Sequence, residues 1–195
     1  MNAATILTLI RFILTPIFII AFALNQKVWA ILLFSVAGFT DLIDGTIARL
    51  LKQHSAKGAV LDPLADKFLM QSCFLCLFAS GIVPWWFVLL ALGRDLMIVV
   101  GIFYLEYRKV PLPYGATISS KIATLFQLAV AIMGLILWWQ PILAVGVITL
   151  GRIFFGTLLA TTLLLVVSGT QYVIIGLRIL HENRLRTEST AGPSS

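Results

Sequence analysis

The decisive stretch is Asp41-Leu42-Ile43-Asp44-Gly45-Thr46-Ile47-Ala48-Arg49, followed after eight residues by Gly58-Ala59-Val60-Leu61-Asp62-Pro63-Leu64-Ala65-Asp66. It places four carboxylates at the ends of two long apolar runs. Charge inside a membrane segment is costly and marks function by default. Positions 41, 44, 45, 48 and 49 step as i, i+3, i+4, i+7 and i+8, which on a helix is one face. Asp62 and Asp66 are one helical turn apart. A short polar loop between the two runs predicts antiparallel neighbouring helices, with all four carboxylates converging at one end of the pair.

The composition agrees with a membrane setting. Of 195 residues, 60% are hydrophobic and 11% charged, against about 25% charged in an average soluble domain. The length suits one domain. Fourteen Lys and Arg against eight Asp and Glu give +6. The basic residues are scattered between apolar runs, which points to anionic lipid head groups rather than nucleic acid.

A helix needs about 20 apolar residues to cross a bilayer. Six runs fit, at 5–24, 28–50, 59–80, 84–106, 118–138 and 152–178. They predict an all-α integral membrane protein of six transmembrane helices forming a single domain over 1–180, with a polar, disordered tail over 181–195. Asn25-Gln26-Lys27, 52–58, Gly81 to Pro84, 107–115 and Gln140-Pro141 supply the breaks. The apolar stretch 141–151 either extends a helix or lies in the interface. Residues 5–24 read as a retained first helix and not a signal peptide, because Arg11 falls inside the run and no basic segment precedes it.

Six spans put both termini on one side, with Lys52, Lys57, Arg108, Lys109, Arg178, Arg184 and Arg186. The basic side is expected to be cytoplasmic, and the four aspartates end there. Trp85-Trp86 and Trp138-Trp139 then fall at the far interface, with Arg152 at a helix start. Cys73 and Cys76 have no second pair to complete a zinc set and read as small packing residues. His54 reads as a solvated loop residue.

Four close carboxylates repel and need cations to stay ionised together. Oxygen-only donors suit hard ions such as Mg²⁺, Mn²⁺ or Ca²⁺, and two such ions can clamp a transferring phosphate. Gly45, Ala48 and Gly58 leave room beside the carboxylates, Arg49 can grip a diphosphate with two prongs, and Pro63 is expected in the first turn of its helix. The alternative is a salt-bridge network in an ion-coupled transporter, pairing the aspartates with Arg11, Arg94 or Lys121. Lys67 would pair with a carboxylate or snorkel, and Arg11 would meet a lipid phosphate or snorkel.

The series Asp41-x2-Asp44-Gly45-x2-Ala48-Arg49, eight residues, Gly58-x3-Asp62-x3-Asp66 resembles the signature of the CDP-alcohol phosphatidyltransferases, with every position filled. The resemblance implies transfer of the phosphatidyl group of CDP-diacylglycerol to an alcohol, with release of CMP. It implies Asp41, Asp44, Asp62 and Asp66 as ligands of two divalent ions, Mg²⁺ or Mn²⁺, with Asp66 also accepting the proton of the attacking hydroxyl. By the same resemblance Gly45, Ala48 and Gly58 form the cytidine pocket, Arg49 and Ser55 contact the CDP part, and Thr5 and Thr8 approach the nucleotide. A homodimer is implied as well; the expected setting is a bacterial plasma membrane, with a mitochondrial inner membrane as the alternative.

The acceptor is the open part. Ala37-Gly38-Phe39-Thr40-Asp41, Arg94-Asp95-Leu96-Met97 and Ser119-Ser120-Lys121-Ile122-Ala123-Thr124 resemble members that use phosphatidylglycerol and make cardiolipin. Members that use glycerol 3-phosphate show Gly-Lys-x-Lys-Thr in the fifth helix and Arg-Glu in the fourth. Here Ala123 replaces the second Lys and Asp95 the Glu. Thr5-Ile6-Leu7-Thr8-Leu9-Ile10-Arg11 resembles that second group, among others. In either case Arg94 and Lys121 are the expected acceptor contacts, with a structural pairing of Arg94 to Asp95 as the alternative.

Overall fold

The computed structural model describes residues 3–38, 58–107, 117–139 and 144–190. The side chains of 3–9, 58–66, 102, 106–107, 144–148 and 182–190 are outside that description. Six helices and no strand occur among the described residues: α1 Ala3–Ala23, α2 Lys27–Gly38, α3 Gly58–Ala79, α4 Trp85–Tyr107, α5 Ile118–Trp139 and α6 Ala144–Thr190.

Two of the predicted breaks are helix caps. Asn25 takes φ 57°, with the N–H of Gln26 bonded to the carbonyl of Ala21 at 2.9 Å and that of Asn25 to Phe22 at 2.9 Å. This left-handed residue closes α1 and lets α2 start at once. Gly81, at φ 74°, repeats the device after α3, with Ile82 N–H on Leu77 C=O at 3.0 Å. Pro84 then precedes α4, whose first free N–H groups tolerate it.

The core lies where the helices meet. Phe18 of α1 packs on Phe34 of α2 with ring centroids 5.8 Å apart, and Phe22 stacks on Trp138 of α5 at 3.9 Å. Phe74 of α3 meets Phe87 of α4 edge-on at 5.2 Å. Helix α3 is central, touching α1, α4 and α5, while α6 lies against α4 and α5. The outer faces stay apolar: Ile13, Ile20, Leu89, Val100, Leu125 and Leu163 are each more than half exposed. An exterior with so many exposed large apolar side chains belongs in lipid. The protein is a membrane protein. Three segments, Trp85–Leu105, Ile118–Trp139 and Thr149–His181, are long and apolar enough to cross a bilayer. Among the described residues the apolar parts of the first three helices are shorter.

The structure changes several boundaries. Of the stretch 141–151, residues 144–151 belong to a helix, since α6 begins at Ala144, and 141–143 lie outside the described residues. Arg152 is therefore in the third turn of α6 rather than at its start, and it is exposed. The tail expected from 181 is helical to Thr190, while 191–195 lies outside the described residues. The first Gly or Pro after Gly176 is Gly192, so nothing breaks the helix earlier. At 47 residues α6 is about 70 Å long, more than twice a bilayer core of about 30 Å. Pro63 falls in the second turn of α3, because the helix already starts at Gly58.

Candidate active site

Asp62 and Asp66 are the fifth and ninth residues of α3, in its opening turns. Backbone register puts them on the same helical stripe as Leu69 and Cys73, which are 3% and 0% exposed. Gly58 is the first residue of that helix, and Thr5 and Thr8 lie in the first turns of α1, which packs against α3. Asp41, Asp44, Gly45, Ala48, Arg49 and Ser55 lie outside the described residues, as do Lys52, His54, Lys57, Arg108 and Lys109. In donor type and in register the two carboxylates of α3 fit a hard cation.

Directly after Asp66 comes a buried polar layer joining four helices. Its centre is Asp95 of α4, 4% exposed. Lys67 Nζ donates to Asp95 Oδ1 at 2.9 Å and Gln71 Nε2 donates to Oδ2 at 3.0 Å. These two donors are one turn apart on α3. Arg94 Nη1 donates to the same Oδ1 at 2.7 Å. Its Nη2 reaches Ser120 of α5 at 2.5 Å and Ser168 of α6 at 2.8 Å. The ring of Tyr172 lies 6.0 Å from the guanidinium carbon, within cation–π range. Gly169 lies against this layer: a Cβ there would stand 3.3 Å from Met97 Cε, a tight approach, and 3.8 Å from Arg94 Cγ, an ordinary contact.

A buried charge is tolerated when it is paired and hydrogen-bonded. Arg94 meets that condition through Asp95 and two hydroxyls. Its Nε is buried with no hydrogen-bond partner. The pairing of Arg94 with Asp95, weighed above as the structural alternative, is therefore present. Lys67 pairs with a carboxylate rather than snorkelling. Arg11 is 4% exposed, so its side chain is held inside the protein rather than snorkelling. Lys121 follows Ser120 on α5 and is exposed. Thr117 caps that helix by accepting the N–H of Ser120 at 3.3 Å. Cys73 is buried and Cys76 half-buried, both as free thiols.

Sequence reasoning did not single out Gln71, Ser168 or Tyr172. One signal was available: Lys67 and Gln71 at i and i+4, opposite an Arg-Asp pair in the next helix. The hydroxyls of α6 gave none, because Ser and Thr recur along it at Thr157, Thr161, Thr162, Ser168 and Thr170. Most of the threonines there bond back to the carbonyl four residues earlier.

Comparison with known proteins places this arrangement. A fission-yeast protein, the "Cardiolipin synthase (CMP-forming) / mitochondrial hydrolase fusion protein" of Schizosaccharomyces pombe, is 39% identical over 108 residues, 55% of this chain and 18% of its own length. The Homo sapiens "Cardiolipin synthase (CMP-forming)" is 42% identical over 81 residues, 41% of this chain and 27% of that one. The chain thus spans less than a third of either relative. The Mycobacterium tuberculosis "Probable phosphatidylglycerophosphate synthase" is 33% identical over 186 residues, 91% of this chain and 82% of that protein. The sequence profile described as CDP-alcohol phosphatidyltransferase matches residues 1–164. With that match running from α1 into α6 and including the whole aspartate series, the chain belongs to the CDP-alcohol phosphatidyltransferase family.

Proposed function

We propose that this protein transfers the phosphatidyl group of CDP-diacylglycerol to an alcohol acceptor and releases CMP. The observation that carries the reading is the complete aspartate series inside the matched family segment, with Asp62 and Asp66 one turn apart in α3. Asp41, Asp44, Asp62 and Asp66 would hold two divalent ions, Mg²⁺ or Mn²⁺. Such ions, when bound, neutralise the diphosphate and make CMP a better leaving group. Asp66 takes the proton of the attacking hydroxyl on a carboxylate oxygen. The hydroxyl oxygen bonds to the phosphatidyl phosphorus as the bridging bond to CMP breaks. Gly45, Ala48 and Gly58 accept the cytidine, Arg49 and Ser55 hold the CDP part, and Thr5 and Thr8 approach it from α1.

The proposed acceptor is phosphatidylglycerol, giving cardiolipin. The fission-yeast and human relatives carry that activity in their names, and Ala123 stands where a second lysine would serve a small charged acceptor. Lys121, exposed on α5, is the proposed acceptor contact, together with Arg94, which bonds the preceding Ser120. A second reading, with glycerol 3-phosphate as acceptor, is favoured by the mycobacterial relative, whose match spans nearly the whole chain. The proposed setting is a bacterial plasma membrane, with six spans, a homodimeric assembly, cytoplasmic termini and the site at the cytoplasmic surface.

The test is a transfer assay on the purified full chain with CDP-diacylglycerol, Mn²⁺ or Mg²⁺, and either phosphatidylglycerol or glycerol 3-phosphate. CMP release with cardiolipin as product supports the first reading, and phosphatidylglycerophosphate supports the second. Folded protein that transfers to neither, nor to any of a panel of other alcohols, overturns the enzyme reading. Ion-coupled flux in sealed vesicles without CMP formation would favour a transporter.

A further inference from the structure

The carboxylate of Asp95 takes three donors, and two of them are full positive charges. One of those, Lys67, is the residue after Asp66. In a helix the side chain leans toward the N-terminus. The stem of Lys67 therefore starts out toward the end of α3 that carries Asp62 and Asp66. A lysine ammonium is a compact charge on a flexible stem. Left without a partner, its charge would oppose a divalent ion held at the neighbouring Asp66. In the structure its Nζ is instead tied across to α4, 2.9 Å from Asp95 Oδ1, with its side chain only 26% exposed.

We propose that Asp95 is a positioning residue that holds the Lys67 ammonium toward α4 and offsets its charge next to Asp66 in the proposed metal-binding series. The inference rests on the metal reading above and adds a residue outside the aspartate series. Lys67, Arg94 and Asp95 together carry a net charge of one positive unit, two plus and one minus. Asp95→Asn raises this to two and releases the ammonium. Lys67→Gln lowers it to zero and leaves Arg94 and Gln71 on Asp95. The double variant returns it to one. Asp95→Glu keeps the charge at the cost of geometry.

The experiment is Mn²⁺ binding to the full chain in detergent micelles, read from the electron paramagnetic resonance signal of free Mn²⁺. The Mn²⁺ dependence of transfer is measured in parallel. Asp95→Asn should weaken Mn²⁺ binding about tenfold, a size expected for one unscreened charge near a divalent ion. Lys67→Gln/Asp95→Asn should return to within about threefold of wild type. Asp95→Glu should also recover most of the affinity, whereas Lys67→Gln should bind at least as tightly as wild type. A merely structural bond predicts the opposite pattern, with Lys67→Gln weaker and the double variant no better than Asp95→Asn. Unchanged binding in Asp95→Asn, or no recovery in the double variant, overturns the proposal. If Asp95→Asn does not fold, Lys67→Gln decides alone, and weaker Mn²⁺ binding there overturns it. If wild type shows no saturable Mn²⁺ binding, or Asp66→Asn binds like wild type, the metal reading itself has failed, and this inference falls with it.

Discussion

Lys67 of α3 and Asp95 of α4 form an ion pair at 2.9 Å, one residue beyond Asp66. The pair fixes the helix that carries half of the aspartate series against its neighbour. Through Arg94 the same carboxylate is linked to Ser120 of α5 and Ser168 of α6. Four helices thus share one polar layer just inside the proposed site.

The first prediction concerns the base. Asp66→Asn removes a proton acceptor without changing size, and general-base losses run to about 10²–10⁴-fold in rate. CMP release under saturating metal and both lipids should fall by that amount. Thermal unfolding in detergent should show the fold retained. Turnover near the wild-type rate would reject the role given to Asp66.

Lys121 is exposed on α5 and is proposed to meet the acceptor. Lys121→Gln should raise the KM for the acceptor about ten-fold, the size of one lost charge-assisted contact. The KM for CDP-diacylglycerol should stay close to wild type. Steady-state kinetics with each substrate varied in turn separates the two, and an effect confined to CDP-diacylglycerol would reassign the residue.

Arg94 supports a different expectation. Its fork bonds Asp95 and two hydroxyls at once, which one ammonium cannot reproduce. Arg94→Lys, which loses the bonds to both hydroxyls, should cost more stability than Ser168→Ala, which removes one bond to a charged group and should cost about 1.5–3 kcal/mol. Thermal unfolding of both variants checks the order. A Ser168→Ala protein as unstable as Arg94→Lys would contradict it.

Packing between α3 and α5 offers a test independent of any chemistry. A Cβ at Gly134 would stand 2.7 Å from Leu77 Cδ1, and Leu77 is fully buried. Gly134→Ala should destabilise by about 1–3 kcal/mol through overpacking. In the Leu77→Ala background the same change should cost far less, because the space is then open. Additive losses in the double variant would show that the contact is not the cause.

Much of the fold was legible from the chain alone. Apolar runs of helical length located all six helices, and Asn25 and Gly81-to-Pro84 located two turns, because αL residues and Pro are local requirements. The helix ends were less legible. Polar residues 181–190 were read as a tail, yet the chain stays helical there. Polarity argues against burial and does not argue against helix. In the same way 144–151 joined α6 because apolar character alone does not say where a span stops.

What the sequence by itself determined is the chemistry on offer: four aspartates at helical spacing in a membrane chain, and a family to which they belong. Spacing along one helix is a local property, so the shared stripe of Asp62 and Asp66 needed no neighbour to define it. Only the tertiary structure decided the partners of the remaining charges. Arg94 and Lys67 both close on Asp95, with serines from two more helices completing the set. Those bonds join residues 26, 28 and 74 positions apart. Partners so distant in sequence are chosen by how the helices pack, because a buried charge takes whichever polar group the fold brings within reach.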